Sequence, residues 1–196
     1  MEKKKLVITL VIFVAVLVLA GTLYNSLGDS WQNQSLATAT EPTPETTEAT
    51  VPEETEDSGV KAMDFTVKNR DGEDVKLSDY FGKPIVLSFW TYWCTVCQTE
   101  MSVFNSMYEQ LDGEVTFLMV HADPETDKGK ALIAQSNYTF PVVYDEYRQA
   151  EANYGVNAYP TTFFIDARGY LQAYCVGAMG TELLQQGVDL IYTPES

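Results

Sequence analysis

The chain has 196 residues, with 12 Lys and Arg against 28 Asp and Glu, and a formal net charge of −16 at pH 7. That length has room for one domain plus further segments. The acidity and the absence of any basic stripe argue against nucleic acid as a partner.

In chain order, Glu2 and Lys3-Lys4-Lys5 precede an uncharged apolar run from Leu6 to Leu23. Eighteen residues at about 1.5 Å per residue span roughly 27 Å, close to a bilayer core. The basic flank predicts a single-pass anchor at residues 1–23, with its N-terminus cytoplasmic and the rest extracytoplasmic. A signal peptide is the rival reading, since Val18-Leu19-Ala20 resembles a cleavage site. Thr22 stands where a lipid-modified N-terminus would want Cys. From Tyr24 to Gly59 there is no Lys or Arg, and Glu41 to Asp57 is acidic and rich in Thr and Pro. Such a segment cannot bury enough surface to offset its ordering entropy, so residues 24–59 are expected to be a disordered linker. A flexible tether of that length reaches on the order of 30–40 Å.

Residues 60–196 carry nine basic and nineteen acidic side chains and are long enough for a core. Ala62 to Val67 alternates like a strand, Asn69 to Gly72 makes a turn, and Val75 to Leu77 returns. After the connection Ser78 to Pro84, the continuous apolar run Ile85 to Trp90 suits a strand buried on both faces. A helix is expected from near Cys94, with Met101, Phe104, Met107, Tyr108 and Leu111 inward, ending at Asp112-Gly113. Val115 to Val120 reads as the next buried strand, with His121 in the loop after it. Asp127 to Ser136 reads as a helix, Phe140 to Tyr144 as an extended piece, and Tyr147 to Tyr154 as a helix closed by Gly155. Thr161 to Asp166, the turn Ala167-Arg168-Gly169 and Tyr170 to Val176 form a hairpin. A last amphipathic helix runs from Thr181 to Ile191, with Leu183, Leu184, Val188 and Ile191 inward. Strands alternating with helices argue for one mixed α/β sheet with helices on both faces.

The chemistry concentrates at Trp93-Cys94-Thr95-Val96-Cys97, between a buried strand and a helix start. A thiolate at a helix N-terminus is favoured by unpaired N–H groups and the macrodipole. Two cysteines so spaced can close a small ring, and thiol–disulfide exchange is the chemistry on offer. An inert stabilising disulfide is the alternative, but a two-residue loop yields little cross-linking entropy. A zinc site would need two more ligands, and only Cys175 and His121 remain, distant in sequence. Gln98 stands where covalent haem attachment wants His. Glu100, three positions after Cys97, shares a helix face with the inner thiol. A carboxylate partly buried there would have a raised pKa and could exchange a proton with Cys97. Trp90, Tyr92 and Trp93 could form an apolar platform around the pair, and Trp93 is assigned a site role. Cys175 is expected to be a buried free thiol.

These features, with Asp64-Phe65-Thr66, Lys83-Pro84-Ile85-Val86-Leu87, the segment Val115 to Asp145 and Tyr159-Pro160-Thr161-Thr162-Phe163, give a chain that resembles the thioredoxin superfamily. Within it the resemblance is to membrane-anchored extracytoplasmic TlpA/ResA-like reductases, over essentially all of Val60 to Ile191. It implies a thioredoxin-like fold, a nucleophilic exposed Cys94 and a resolving Cys97. It further implies a cis Tyr159–Pro160 bond packed against the cysteines and a Tyr159 backbone that pairs with the client chain. TlpA/ResA-like proteins are similar in having Glu at position 100, whereas thioredoxin has a buried acid where Ser88 stands. Two departures limit what the resemblance carries over: Thr95-Val96 lacks the Gly-Pro of thioredoxin and the Pro many relatives keep before the second Cys, and Cys175 is a third thiol on the last hairpin strand, for which dimerisation is the rival to a buried thiol.

The leading expectation is therefore an enzyme, an anchored thiol–disulfide oxidoreductase reducing disulfides of extracytoplasmic proteins. Its redox couple is Cys94–Cys97 itself, with no separate cofactor or metal. By resemblance, clients would be apocytochrome c or a methionine sulfoxide reductase, and electrons would come from a thiol-transporting membrane protein. A peroxidase is a second reading, because the Asp64-Phe65 opening is shared with peroxiredoxin-like chains. That chemistry would want Pro and Thr ahead of a lone Cys, where Trp90-Thr91-Tyr92-Trp93 stands. A non-catalytic binding module using the groove at Pro160 is the third.

Overall fold

The computed structural model describes residues 37–38 and 59–194. The expected anchor and most of the expected linker lie outside the described residues. Among the described residues no helix is long and apolar enough to cross a membrane.

The fold is built on β5 (Ile85–Trp90), whose six residues are all buried. It pairs in parallel with β6 (Thr116–His121) and antiparallel with β8 (Thr161–Ile165). Beyond β6 lie β7 (Val142–Tyr144), β3 (Thr66–Lys68) and β4 (Asp74–Lys76); beyond β8 lies β9 (Tyr170–Val176). β1 (Ala37–Thr38) and β2 (Val60–Lys61) both pair antiparallel with β9. The sheet is thus mixed, with parallel β5, β6 and β7 at its centre and a hairpin on one flank, as the sequence pattern suggests.

Successive residues of β5 point to opposite faces, and each face has its own core. Val86 and Trp90 join Phe104 and Met107 of α1 (Thr95–Gln110), Ile133 of α2 (Thr126–Gln135), and Leu184, Val188 and Ile191 of α4 (Thr181–Ile191). Ile85, Leu87 and Phe89 pack with Ala150 of α3 (Gln149–Asn153) and Leu77 of a 3-10 helix (Leu77–Tyr80).

Ala37–Thr38, within the segment expected to be a linker, pair with Tyr174 and Ala173 at the edge of β9, which presents backbone groups a passing segment can satisfy. Three expectations are corrected. The strand expected over Ala62 to Val67 begins only at Thr66, and just before it the Asp64 carboxylate accepts from Phe65 N, Ser78 N and Ser78 Oγ at 3.0, 3.0 and 2.8 Å. The helix expected from Tyr147 starts at Gln149, because Asp145 accepts the amides of Gln149 and Glu151, both at 2.9 Å. His121 is the last residue of β6 rather than a loop residue, paired in register with Trp90 and Tyr144.

Gly187 of α4 sets how closely that helix approaches the sheet, since the Phe164 ring occupies the place a methyl group there would take. Phe164 is fully buried and cannot yield. Replacing Gly by Ala inside a helix ordinarily gains about 0.5–1 kcal/mol. Here Gly187→Ala is expected to destabilise the protein by about 1–3 kcal/mol through overpacking, read as a lower urea midpoint.

Candidate active site

The cysteine pair sits where β5 ends and α1 begins. Cys94 is the N-cap of α1, its backbone extended, and its Sγ accepts the Cys97 N–H at 3.1 Å. A sulfur there occupies the place a capping oxygen normally takes, aimed at the unpaired amides of the first turn. The two residues are disulfide-bonded, with Cα atoms 5.3 Å apart. Cys94 is 7% exposed and Cys97 2%. The leading cysteine is thus the more accessible, but the expectation that it is exposed is corrected for this oxidised form, where both sulfurs are tied into the core over Trp90 and Met101.

The neighbouring residues Trp93 and Val96 are 58% and 50% exposed. Trp93 Nε1 donates to Asp123 Oδ2 at 3.0 Å, and its ring meets Tyr159 edge-on at 5.8 Å. Tyr92 donates from its hydroxyl to Glu125, which is paired with Lys128. Gln98 Nε2 donates to the Tyr92 carbonyl at 2.6 Å, so this residue fastens the aromatic loop to α1. The Tyr159–Pro160 peptide bond is cis. Its carbonyl at Pro160 accepts from Gly177 N at 2.7 Å, which fixes the start of β8.

Glu100 lies in the same helix, 5% exposed. Burial pushes its carboxyl up to about 8, partly offset by the Met179 N–H that donates to Oε1 at 3.1 Å. At neutral pH the acid is mostly protonated, in keeping with the raised pKa read from its spacing. Ser88, where thioredoxin carries an acid, is buried and accepts the Thr162 hydroxyl at 2.9 Å. Cys175 is buried opposite Thr162 in register, its sulfur 3.9 Å from the Gly177 carbonyl oxygen.

His121 is fully buried against Trp90, ring centroids 4.7 Å apart, and burial pushes its pKa down to about 4. A methyl group at Gly129 of α2 would lie 2.6 Å from the imidazole, so the glycine makes room for it. Sequence reasoning missed Asp123, Glu125 and the Met179 amide. The loop after β6 lies at the carboxyl end of parallel strands, where sites form in such sheets. That position was the available signal.

Over residues 58–174 the chain matches the AhpC/TSA family. It is 33% identical over 135 residues to the thiol-disulfide oxidoreductase ResA of Geobacillus thermodenitrificans, spanning 68% of this chain and 77% of that protein. To the thioredoxin-like protein YneN of Bacillus subtilis it is 31% identical over 135 residues, spanning 67% and 79% respectively. The crystal structure of StoA from Bacillus subtilis is similar with a TM-score of 0.56 at 26% identity, covering 64% of this chain and 96% of StoA.

The two buried groups titrate with opposite signs. Glu100 binds its proton more tightly folded than unfolded, so its contribution is complete below about 4.5 and is lost as pH rises through about 8. His121 binds its proton more weakly folded, so its contribution is complete above about 6.5 and is lost as pH falls through about 4. The oxidised protein is expected to lose about 2 kcal/mol between pH 6.5 and 8 from Glu100. Denaturant titrations across that range should show the loss, and Glu100→Gln should flatten it.

Proposed function

The chain belongs to the AhpC/TSA family and is a thiol-disulfide oxidoreductase of the ResA and DsbE type, and from that premise we propose that it reduces disulfides of extracytoplasmic client proteins through Cys94 and Cys97. The observation that carries this reading is the placement of Cys94 Sγ as the helix cap, receiving the Cys97 amide beside a buried Glu100.

In the reduced protein, Cys94 attacks one sulfur of the client disulfide. A Cys94–client bond forms, the client S–S bond breaks, and the departing client thiolate takes a proton. Cys97 then loses its proton to the ionised fraction of Glu100, which grows as pH rises toward about 8, and attacks Cys94 Sγ. The Cys94–Cys97 bond closes, the second client sulfur leaves as a thiolate and takes the proton back from Glu100, so two electrons pass to the client. The amides of the first turn stabilise the Cys94 thiolate. Glu100 suits the proton step because burial brings its pKa close to that of a thiol. Trp93, Tyr159 and Pro160 form the client-binding wall. The apolar run Leu6 to Leu23 and its lysine flank support an uncleaved anchor with the enzyme outside the membrane. There it has no access to cytosolic reductant, and a thiol-transporting membrane protein is the fitting donor. Apocytochrome c or a methionine sulfoxide reductase is the fitting client. The peroxidase reading is tested in the same preparation, since rapid peroxide consumption coupled to Cys94 oxidation would favour it.

The test is the reduction potential of the Cys94–Cys97 couple, with alkylation assigning each thiol. A value near or below about −270 mV supports an electron-donating enzyme, and one near about −120 mV reverses the direction of flow. Cys94→Ser is expected to abolish exchange, and Cys97→Ser to trap the mixed disulfide, visible by mass. Glu100→Gln is expected to slow exchange and shift its pH profile; an unchanged profile removes Glu100 from the mechanism.

A further inference from the structure

The segment read from sequence as a linker meets the domain twice, along one sheet edge. β1 and β2 both pair antiparallel with β9, Thr38 opposite Ala173 and Val60 opposite Leu171. Only Gln172 of β9 stands between those two partners. Ala37–Thr38 and Val60–Lys61 are therefore one edge strand in two pieces, running the same way along β9. Residues 39–59 leave and re-enter that strand across about 7 Å, two residues of strand rise. The return is fitted closely. A methyl group at Gly59 would lie 2.9 Å from the Tyr170 ring, and the Ala62 amide donates to the Gly169 carbonyl at 2.8 Å.

This arrangement decides which part of the sequence can act as a tether. The acidic, Pro-rich stretch Glu41 to Asp57 lies wholly between the two fixed ends and adds nothing to the reach. Residues 24–36 alone are left between the apolar run and β1. A coil of that length reaches on the order of 20 Å, against about 30–40 Å for the whole of residues 24–59. The direction of β1 matters as much as its place. With Ala37 opposite Tyr174 and Thr38 opposite Ala173, β1 runs from the Val176 side of β9 toward Leu171. Val176 pairs with Thr161, the residue after the cis Tyr159–Pro160 bond, and Gly177 N donates to the Pro160 carbonyl. The chain thus comes to β9 from the sheet end that carries Cys94–Cys97.

We propose that Ala37–Thr38 fastens the tether to the domain at its catalytic end, so that residues 24–36 alone set the reach and the disulfide meets a dithiol held at the membrane surface. The inference rests on the anchored reading of Leu6 to Leu23. One thiolate of that dithiol attacks Cys94 Sγ, a mixed disulfide forms, and the Cys94–Cys97 bond breaks with Cys97 taking up a proton. The partner's second thiol then displaces Cys94, which takes up the other proton. The partner leaves as a disulfide, and two electrons have entered the chain.

The experiment uses the oxidised full-length protein in phosphatidylcholine vesicles, some of whose lipids carry a dithiol on the headgroup. The readout is the rate at which Cys94 and Cys97 become open to alkylation, compared with the same dithiol dissolved in the buffer. Inserting about one hundred Gly and Ser residues between Gly28 and Asp29 is expected to lower the lipid-dithiol rate roughly threefold, since reach grows as the square root of tether length. The same insertion between Thr50 and Val51 is expected to leave it unchanged. Ala37→Pro combined with Thr38→Pro removes both amides of β1. That variant is expected to lower the rate about 1.7-fold, and to let the insertion after Thr50 lower it about a further twofold. The rate with the dissolved dithiol is expected to stay constant throughout. Equal slowing by the two insertions overturns the proposal. So does a proline variant without effect, or a lipid-borne dithiol no faster than the dissolved one at matched concentration. If the protein does not sediment with the vesicles, the anchored reading itself falls, and the inference with it.

Discussion

Everything at the site depends on the burial of β5 on both faces. A strand with no exposed residue must be paired on both edges and covered on both sides, and β6 and β8 supply the edges. Because β6 runs parallel to β5, both strands end at the same side of the sheet, and the loops after them meet. The loop after β5 carries Tyr92, Trp93 and Cys94, and the loop after β6 carries Asp123 and Glu125. Because β8 runs antiparallel, its beginning lies at that same side and delivers Tyr159 and Pro160. Three segments far apart in sequence converge at the cysteines through strand direction alone.

Two ionisable groups are buried near the cysteines without a counter-charge in contact, and the chain tolerates each by keeping it neutral. Glu100 holds its proton and His121 sheds one, both because desolvation penalises the charged form. The outcomes differ in use. Glu100 shares the helix of Cys97 and is brought into the range where thiols titrate. His121 packs among Trp90, Tyr92 and Tyr144 with Gly129 beneath it, and its pKa lies well below any thiol. Its neutral imidazole behaves as a flat core side chain, and the missing methyl at Gly129 is the steric counterpart of that choice.

Much of this was legible because local pattern and global fold agree along most of the chain. The run Ile85 to Trp90 could only be a doubly buried strand, and the strands and α4 follow the same periodicity. The Cys94–Cys97 pairing, the burial of Glu100 and the cis bond before Pro160 were readable from spacing or resemblance. The differences arise where a side chain overrides periodicity. Asp64 binds the Phe65 and Ser78 amides just before β3 starts, and Asp145 sets the start of α3 by binding the Gln149 and Glu151 amides. The partners of Trp93 and Glu100 were not legible. Asp123 and the Met179 amide reach the site through loops, whose geometry no hydrophobic period encodes.

The contacts that hold the turn before β8 belong to the same illegible class. The Tyr159 hydroxyl donates to the Ala122 carbonyl at 3.3 Å, which ties one end of the turn to the segment after β6. Such a bond is directional, whereas apolar packing fixes no single donor to a single acceptor. Thr161 Oγ1, donating to the Ala158 carbonyl at 2.8 Å, braces the other end of the same turn. With both ends of Ala158 to Thr161 fixed by polar contacts, the strand edge facing the cysteines is determined by geometry rather than by packing. Directional bonds are the means by which a loop acquires the definition that β5 has through burial.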